Sequence, residues 1–154
     1  MKQFALITGA SSGIGEQICH SLAKRGFNVI LTSRTESKLK TISEKISFKY
    51  GVETAYFSCD LSKKNSPKKI FNFCDSNNYD VDILVNNAGY ALPYTFEKNS
   101  VEDEENCIRV LGTSVISLTK LFVRDMIKNN RGKIMIVSSV AAFAPPAAIQ
   151  VMYG

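Results

Sequence analysis

The residues best able to do chemistry stand near the start of the chain, in Thr8-Gly9-Ala10-Ser11-Ser12-Gly13-Ile14-Gly15, directly after the apolar run Phe4-Ala5-Leu6-Ile7. A strand that runs into a glycine turn and then into a helix leaves the first helical N–H groups pointing outward, where a diphosphate can accept from them. Gly9 permits the sharp turn, Gly13 the close approach of a ligand, and Gly15 the packing of helix on strand. The spacing is G-x-x-x-G-x-G rather than G-x-G-x-x-G, so a plain tight turn is the competing reading. About 20 residues beyond such glycines, where the second strand ends, an acid would bind the two ribose hydroxyls of NAD. Arg34 stands there instead. A cation in the first turn of a helix opposes the helix dipole, whereas a bound 2′-phosphate would pair with the guanidinium. The cofactor expected is therefore NADP(H) in preference to NAD(H), and an exposed surface arginine is the reading without chemistry.

Further along, Asn86-Asn87-Ala88-Gly89 ends a second apolar run, and Ser138-Ser139 is followed at a distance by Tyr153. Two amides after a central strand can tie neighbouring strand ends together, and Gly89 lets the backbone pass a cofactor. In order with the glycine turn and Asp60-Leu61, these motifs resemble the short-chain dehydrogenase/reductase family over the whole chain. The resemblance implies an oxidoreductase that moves hydride between a nicotinamide and a small-molecule carbonyl or alcohol, with Tyr153 as acid or base and Ser139 as orienting hydroxyl. The interval from Ser139 to Tyr153 is one residue longer than the family pattern, which makes Ser138 the runner-up, and capping of the turn after the strand is the structural alternative for both. The resemblance also implies that Gly9, Ser11, Ser12, Gly13, Ile14, Arg34, Asp60, Leu61, Asn87, Ala88 and Gly89 surround the cofactor. Asp60 would lie against the adenine, though as a lone residue it could equally cap the next helix.

A free phenol has a pKa of ~10, and lowering it to ~7 takes ~4 kcal/mol of stabilisation. The family supplies this with the cofactor's charged ring and a lysine four residues after the tyrosine, a position past Gly154. Arg109 stands where the family helix usually carries Asn, and a guanidinium cannot accept a proton from solvent. The expectation is the N-terminal part of a longer enzyme, impaired in turnover as it stands. A non-catalytic NADP(H)-binding remnant or sensor is the alternative.

These groups can meet only if strands and helices alternate. Strand-like runs at 4–8, 28–32, 54–58, 83–85 and 133–137, separated by helical patterns, predict an α/β fold: a Rossmann-like doubly wound parallel sheet, one domain over 1–154, C-terminally truncated. Ile14, Ile18 and Leu22 form the expected apolar stripe of the first helix, which should stop at Gly26. Ser33 and Glu36 match a capping box for the second helix, with Leu39, Ile42 and Ile46 facing the sheet. Pro67 suits the first turn of the third helix. The longest helix should begin near Ser100 behind a dipole-compensating run, Glu102 to Glu105, and bury Ile108, Leu111, Val115, Leu118, Phe122 and Met126. Ile116, Val123 and Ile127 form a weaker second stripe, and the resemblance implies a homo-oligomer built on this helix. The last run, nearly all apolar, reads as a strand of the kind covered on both faces, with Phe143, Pro145 and Pro146 as a stiff rim, though without the elements expected to follow it the strand would be left as an exposed apolar edge.

Composition narrows the function classes. The chain has 154 residues, is 45% hydrophobic and carries a formal charge of +5. Its only lysine cluster, Lys63, Lys64, Lys68 and Lys69, reads as a solvated face, so nucleic acid is not expected, and a mild positive balance suits an anionic cofactor. Cys19, Cys59, Cys74 and Cys107 lack C-x-x-C spacing and read as small apolar residues in a reducing compartment. With the single His20, read as structural, they offer no metal set. No apolar run approaches the ~20 residues of a membrane span, and a soluble cytoplasmic protein is the default.

Overall fold

In β1 (Gln3–Thr8), side chains alternate between two faces, Phe4 and Leu6 on one and Ala5 and Ile7 on the other, and all four are buried. A strand that is apolar on both faces belongs at the centre of a sheet sheathed by helices. The computed structural model of the protein, which describes residues 3–92 and 94–143, has that architecture. Five parallel strands lie in the order β3-β2-β1-β4-β5, with β2 at Asn28–Ser33, β3 at Thr54–Ser58, β4 at Asp80–Asn86 and β5 at Lys133–Ile136. The chain winds outward from β1 to β3 and then crosses back to β4. The strand order therefore reverses beside β1, and a crevice opens above the carboxyl ends there.

Helices α1 (Gly13–Lys24) and α2 (Glu36–Tyr50) cover the Ala5/Ile7 face, with Cys19, Ala23, Leu39, Ile42 and Ile46 in its core. Helices α3 (Ser66–Ser76) and α5 (Ser114–Lys128) cover the Phe4/Leu6 face through Ile70, Cys74, Leu118, Phe122 and Met126. The four cysteines are free thiols and three of them, Cys19, Cys74 and Cys107, are buried. Pro67 sits in the first turn of α3, and α1 gives way to a left-handed Gly26. His20 packs edge-on against Tyr50 of α2, away from the crevice.

Four expectations are corrected. First, the buried face of α1 is Gly15, Cys19 and Ala23, with Ile18 and Leu22 at its margin, while Ile14 is 63% exposed. The small side chains let the helix lie close to the sheet, and the left-handed Gly13 at its start turns Ile14 outward. Second, no capping box forms on α2. Ser33 is still in β2, paired with Ser58, so the helix starts at Glu36 after Thr35, too late for Glu36 to reach back. Third, α4 (Val101–Ile108) joins α5 through a π-helical turn, Arg109–Thr113, and the buried positions there are Cys107, Val110 and Ser114 rather than Ile108, Leu111 and Val115. The widened turn holds an extra residue, which moves the stripe by one place. Fourth, β5 is not covered on both faces; it is the exposed apolar edge also expected, and it pairs only with β4 among the described residues.

The helical stretch Val101–Lys128 is by length and composition apolar enough to cross a membrane, contrary to the reading of isolated runs. Here Leu118, Phe122 and Met126 seat it on the sheet as a core helix. At the amino end of the sheet, Arg131 pairs with Asp80 and, at 3.0 Å, with Asp82 of β4. Ile116 and Ile127 are exposed on the outer side of α5.

Candidate functional site

The crevice is built on a lock between the ends of β1 and β4. The buried Thr8 hydroxyl donates to Val85 O at 3.3 Å and accepts from the N–H groups of Asn87 and Ala88, both at 2.9 Å. Asn87 Nδ2 returns the contact, donating to Thr8 O at 2.9 Å and Gly9 O at 3.3 Å. The glycine turn is thus tied to the Asn-Asn-Ala-Gly turn, as the amide pair suggested. Asn86 reaches the other way, donating to Thr119 Oγ1 at 3.4 Å. The fit leaves no room for side chains: a Cβ on Gly9 would lie 2.8 Å from Ala88 Cα, and one on Gly15 2.4 Å from Gly9 O.

Above this lock lies a cleft of about 500 Å³. Gly9, Ser11 and Ser12 form its floor, Ala88 and Gly89 one side, and Arg34, Asp60 and Leu61 the far end. These eight expected site residues therefore meet. Asn87 stands behind the wall and holds it by hydrogen bonds. Gly13 and Ile14 sit in the exposed first turn of α1 and do not line the cleft. Ser139 is exposed at the end of β5, apart from the cleft, and its Oγ accepts from Ala141 N at 3.1 Å, the capping role open to it from the start. Tyr153, Pro145 and Pro146 lie outside the described residues.

Two observations show a fit to an anionic dinucleotide. Ser12 precedes α1 in extended conformation and, like the residues before α2 and α3, makes no side-chain cap; α1 is set apart by starting directly behind Ser11 and Ser12 of the cleft floor. The orphan N–H groups of α1 are thus left for another acceptor, beside the cleft floor. Thr32, only 1% exposed, lines the same cleft and has a buried hydroxyl with no partner.

The far end is charged. Asp60 does not cap α3, which begins after Asn65; its Oδ1 accepts from Ser62 N at 3.0 Å. Partial burial pushes the Asp60 carboxyl up, but the Ser62 N–H and hydroxyl, with Lys63 and Arg34 nearby, outweigh this and hold it below the ordinary carboxylate range. Ser58 Oγ donates to Arg34 O at 3.0 Å and Cys59 N to Ser33 O at 2.8 Å, so the loops after β2 and β3 run side by side.

Lining residues that motif reading missed include Ser62, Lys63, Tyr90, Asp103 and Asn106. Asp103, Asn106 and Val110 are spaced by three and four along α4 and the π turn, a signal present in the sequence, but only the tertiary structure shows that this face lines the cleft. Partial burial pushes the Tyr90 phenol up, so it stays protonated at neutral pH.

The family model described as short chain dehydrogenase matches residues 3–154. The chain is 31% identical to the very-long-chain 3-oxoacyl-CoA reductase of Candida glabrata, over 92% of this chain and 45% of that protein. It is 36% identical to the 3-oxoacyl-(acyl-carrier-protein) reductase FabG of Aquifex aeolicus, over 90% of this chain and 56% of that one. Among solved structures, a short-chain dehydrogenase from Sphingobium yanoikuyae in complex with NADPH superposes with a TM-score of 0.89 at 27% identity, covering 99% of this chain and 59% of that one. The L-sorbose reductase of Gluconobacter frateurii, complexed with NADPH and L-sorbose, gives 0.91 at 27% identity, with 99% and 57% covered. This chain spans about half the length of the curated relatives it matches. With the glycine turn, the Thr8–Asn87 lock and the family match all running through the same residues, the chain belongs to the short-chain dehydrogenase family.

Proposed function

We propose that this chain forms the nucleotide-binding part of an NADP(H)-dependent oxidoreductase that interconverts a ketone and a secondary alcohol. The observation that carries the reading is that one cleft brings together the glycine turn leading into the uncapped start of α1, on its floor, and an exposed arginine, free of any ion pair among the described residues, at its far end. The first suits a diphosphate and the second a 2′-phosphate. A 3-oxoacyl thioester is the substrate class favoured by the two curated relatives, since both are named for reduction of that group.

The nicotinamide, when bound, supplies or accepts the hydride. The chain's own residues hold and polarise. The first turn of α1 binds the diphosphate, Leu61 and Asp60 wall the adenosine end, and the Thr8–Asn87 lock keeps the loops at fixed separation. Ser139 Oγ uses a lone pair on Ala141 N and keeps its proton for a substrate oxygen. Tyr153 is assigned by its motif to donate the proton to that oxygen on reduction and to take it on oxidation.

Titration of the chain with NADPH and NADH, followed by nicotinamide fluorescence, tests the cofactor half: tighter binding of NADPH is expected, and equal affinity would refute it. Single-turnover oxidation of bound NADPH by a 3-oxoacyl thioester tests the chemistry. One observation favours binding without turnover: Arg109 occupies the family's Asn position in the π turn, with a buried Nε that has no partner. In that case saturating NADPH would bind and no oxidation would follow.

A further inference from the structure

We propose that Lys63 is a specificity-determining residue of the cleft, acting with Arg34 to bind the 2′-phosphate of NADP(H). The proposal deepens, and rests on, the cofactor reading above. It begins from the two loops that follow β2 and β3, which are bonded to each other through Ser58 Oγ, Arg34 O, Cys59 N and Ser33 O. Arg34 lies on one loop and Lys63 on the other, and both line the cleft.

Lys63 stands on a pinned backbone. Its N–H donates to Asp60 O at 3.1 Å, and its carbonyl accepts from Ser66 N at 3.0 Å. Ser66 Oγ also donates to Asp60 O, and Ser62 N to Asp60 Oδ1 at 3.0 Å. The turn from 60 to 66 is therefore held at four points, which fixes the backbone from which the lysine reaches the cleft.

The two cations face the cleft without a carboxylate in direct contact, since the ion pairs among the described residues are those of Arg131. Asp60, which lines the cleft with both, accepts from Ser62 N through Oδ1, and Lys63 and Arg34 favour its charged form from nearby without an ion-pair contact. Asp103 across the cleft is engaged by Ser100, whose hydroxyl donates to it at 2.7 Å. Two like charges on adjoining loops repel, and a phosphomonoester carrying about −1.5 to −2 charges at pH 7 would reverse that repulsion. Of the four lysines in the local cluster, only Lys63 lines the cleft; Lys64, its exposed neighbour, does not.

The test is a set of dissociation constants for NADPH and NADH on the full 154-residue chain and on its Lys63→Gln, Lys63→Arg and Lys64→Gln variants. Lys63→Gln should weaken NADPH by about fivefold, the scale of one exposed charge pair, and leave NADH within about twofold. Lys63→Arg should retain NADPH affinity, and Lys64→Gln should change neither cofactor. Equal weakening of both cofactors by Lys63→Gln would assign the lysine to the diphosphate and overturn the proposal. An intact NADPH preference in Lys63→Gln would also overturn it, with the cofactor reading untouched. No preference for NADPH in the unaltered chain would remove the cofactor reading and this proposal together.

Discussion

Arg34 illustrates how much one side chain at a strand end decides. It follows β2, at the place where an acid would hold two ribose hydroxyls, and it lines the cleft without an ion-pair partner among the described residues. Arg34→Asp exchanges a phosphate partner for a diol partner and places a second carboxylate near Asp60. NADPH affinity should fall by about tenfold or more, the worth of one charge-assisted bond, while NADH is affected less. Fluorescence titration with both cofactors measures the difference directly; equal losses would contradict the role given to the guanidinium.

At the scale of elements, the junction of β1, α1 and the Asn-Asn-Ala-Gly turn is held by small residues as much as by hydrogen bonds. Gly15 is the clearest case, because it lies in helix α1 and its missing Cβ makes space for Gly9 O and Asn87 Nδ2. Gly15→Ala would normally favour a helix, yet here the added methyl would sit 2.4 Å from the carbonyl oxygen. Overpacking should outweigh propensity, destabilising the fold by about 2 kcal/mol. Denaturant unfolding would read the loss in stability, and cofactor titration the displacement of the α1 N-terminus. The same reasoning explains why the expected stripe of α1 was displaced: Ile14 fits a helical period, but only Gly15, Cys19 and Ala23 are small enough for the approach that the glycine turn imposes.

For the molecule as a whole, the Arg131 ion-pair cluster and the candidate cleft lie at opposite ends of the sheet. At the amino end, Arg131 bridges Asp80 and Asp82, and Asp82 is 7% exposed. Burial pushes the Asp82 carboxyl up and Arg131 pulls it back. Arg131→Leu leaves two facing carboxylates without their cation, which should cost about 2 kcal/mol, less than a fully buried pair because the arginine is partly solvated. With its folded pKa raised further, Asp82 favours the protonated state, so the deficit should shrink as pH falls toward 3.8, the ordinary aspartate value. Unfolding curves at neutral and acid pH, compared with the unaltered chain, would show it.

The buried thiols set a limit on the alkaline side. Burial, with Glu16 adding to it, pushes Cys19 up from 9.0 to about 12, and burial alone does the same for Cys74. The folded state keeps protons that the unfolded chain releases, so this contribution is complete below pH 9 and is lost as pH rises toward 12. Stability of the Cys74→Ala variant should fall less steeply across that window than stability of the unaltered chain.

By itself the sequence determined the alternation of strand and helix, the placement of the glycine turn at a strand end, a pair of amides at the end of another strand, and a basic residue where a nucleotide's ribose would lie. All of these are local, written in a period of two or of three to four residues, or in glycines that only one backbone path can use. The tertiary structure alone decided what lies between elements: the rotation of α1 about its axis, the one-residue shift through the π turn, the choice of Asn87 to hold the glycine turn, and the convergence of Arg34, Asp60, Lys63 and Asp103 on one cleft. Residues so far apart in the chain meet because β2, β3 and β4 end on the same edge of the sheet, and strand order is fixed by packing on both faces rather than by any single stretch of sequence.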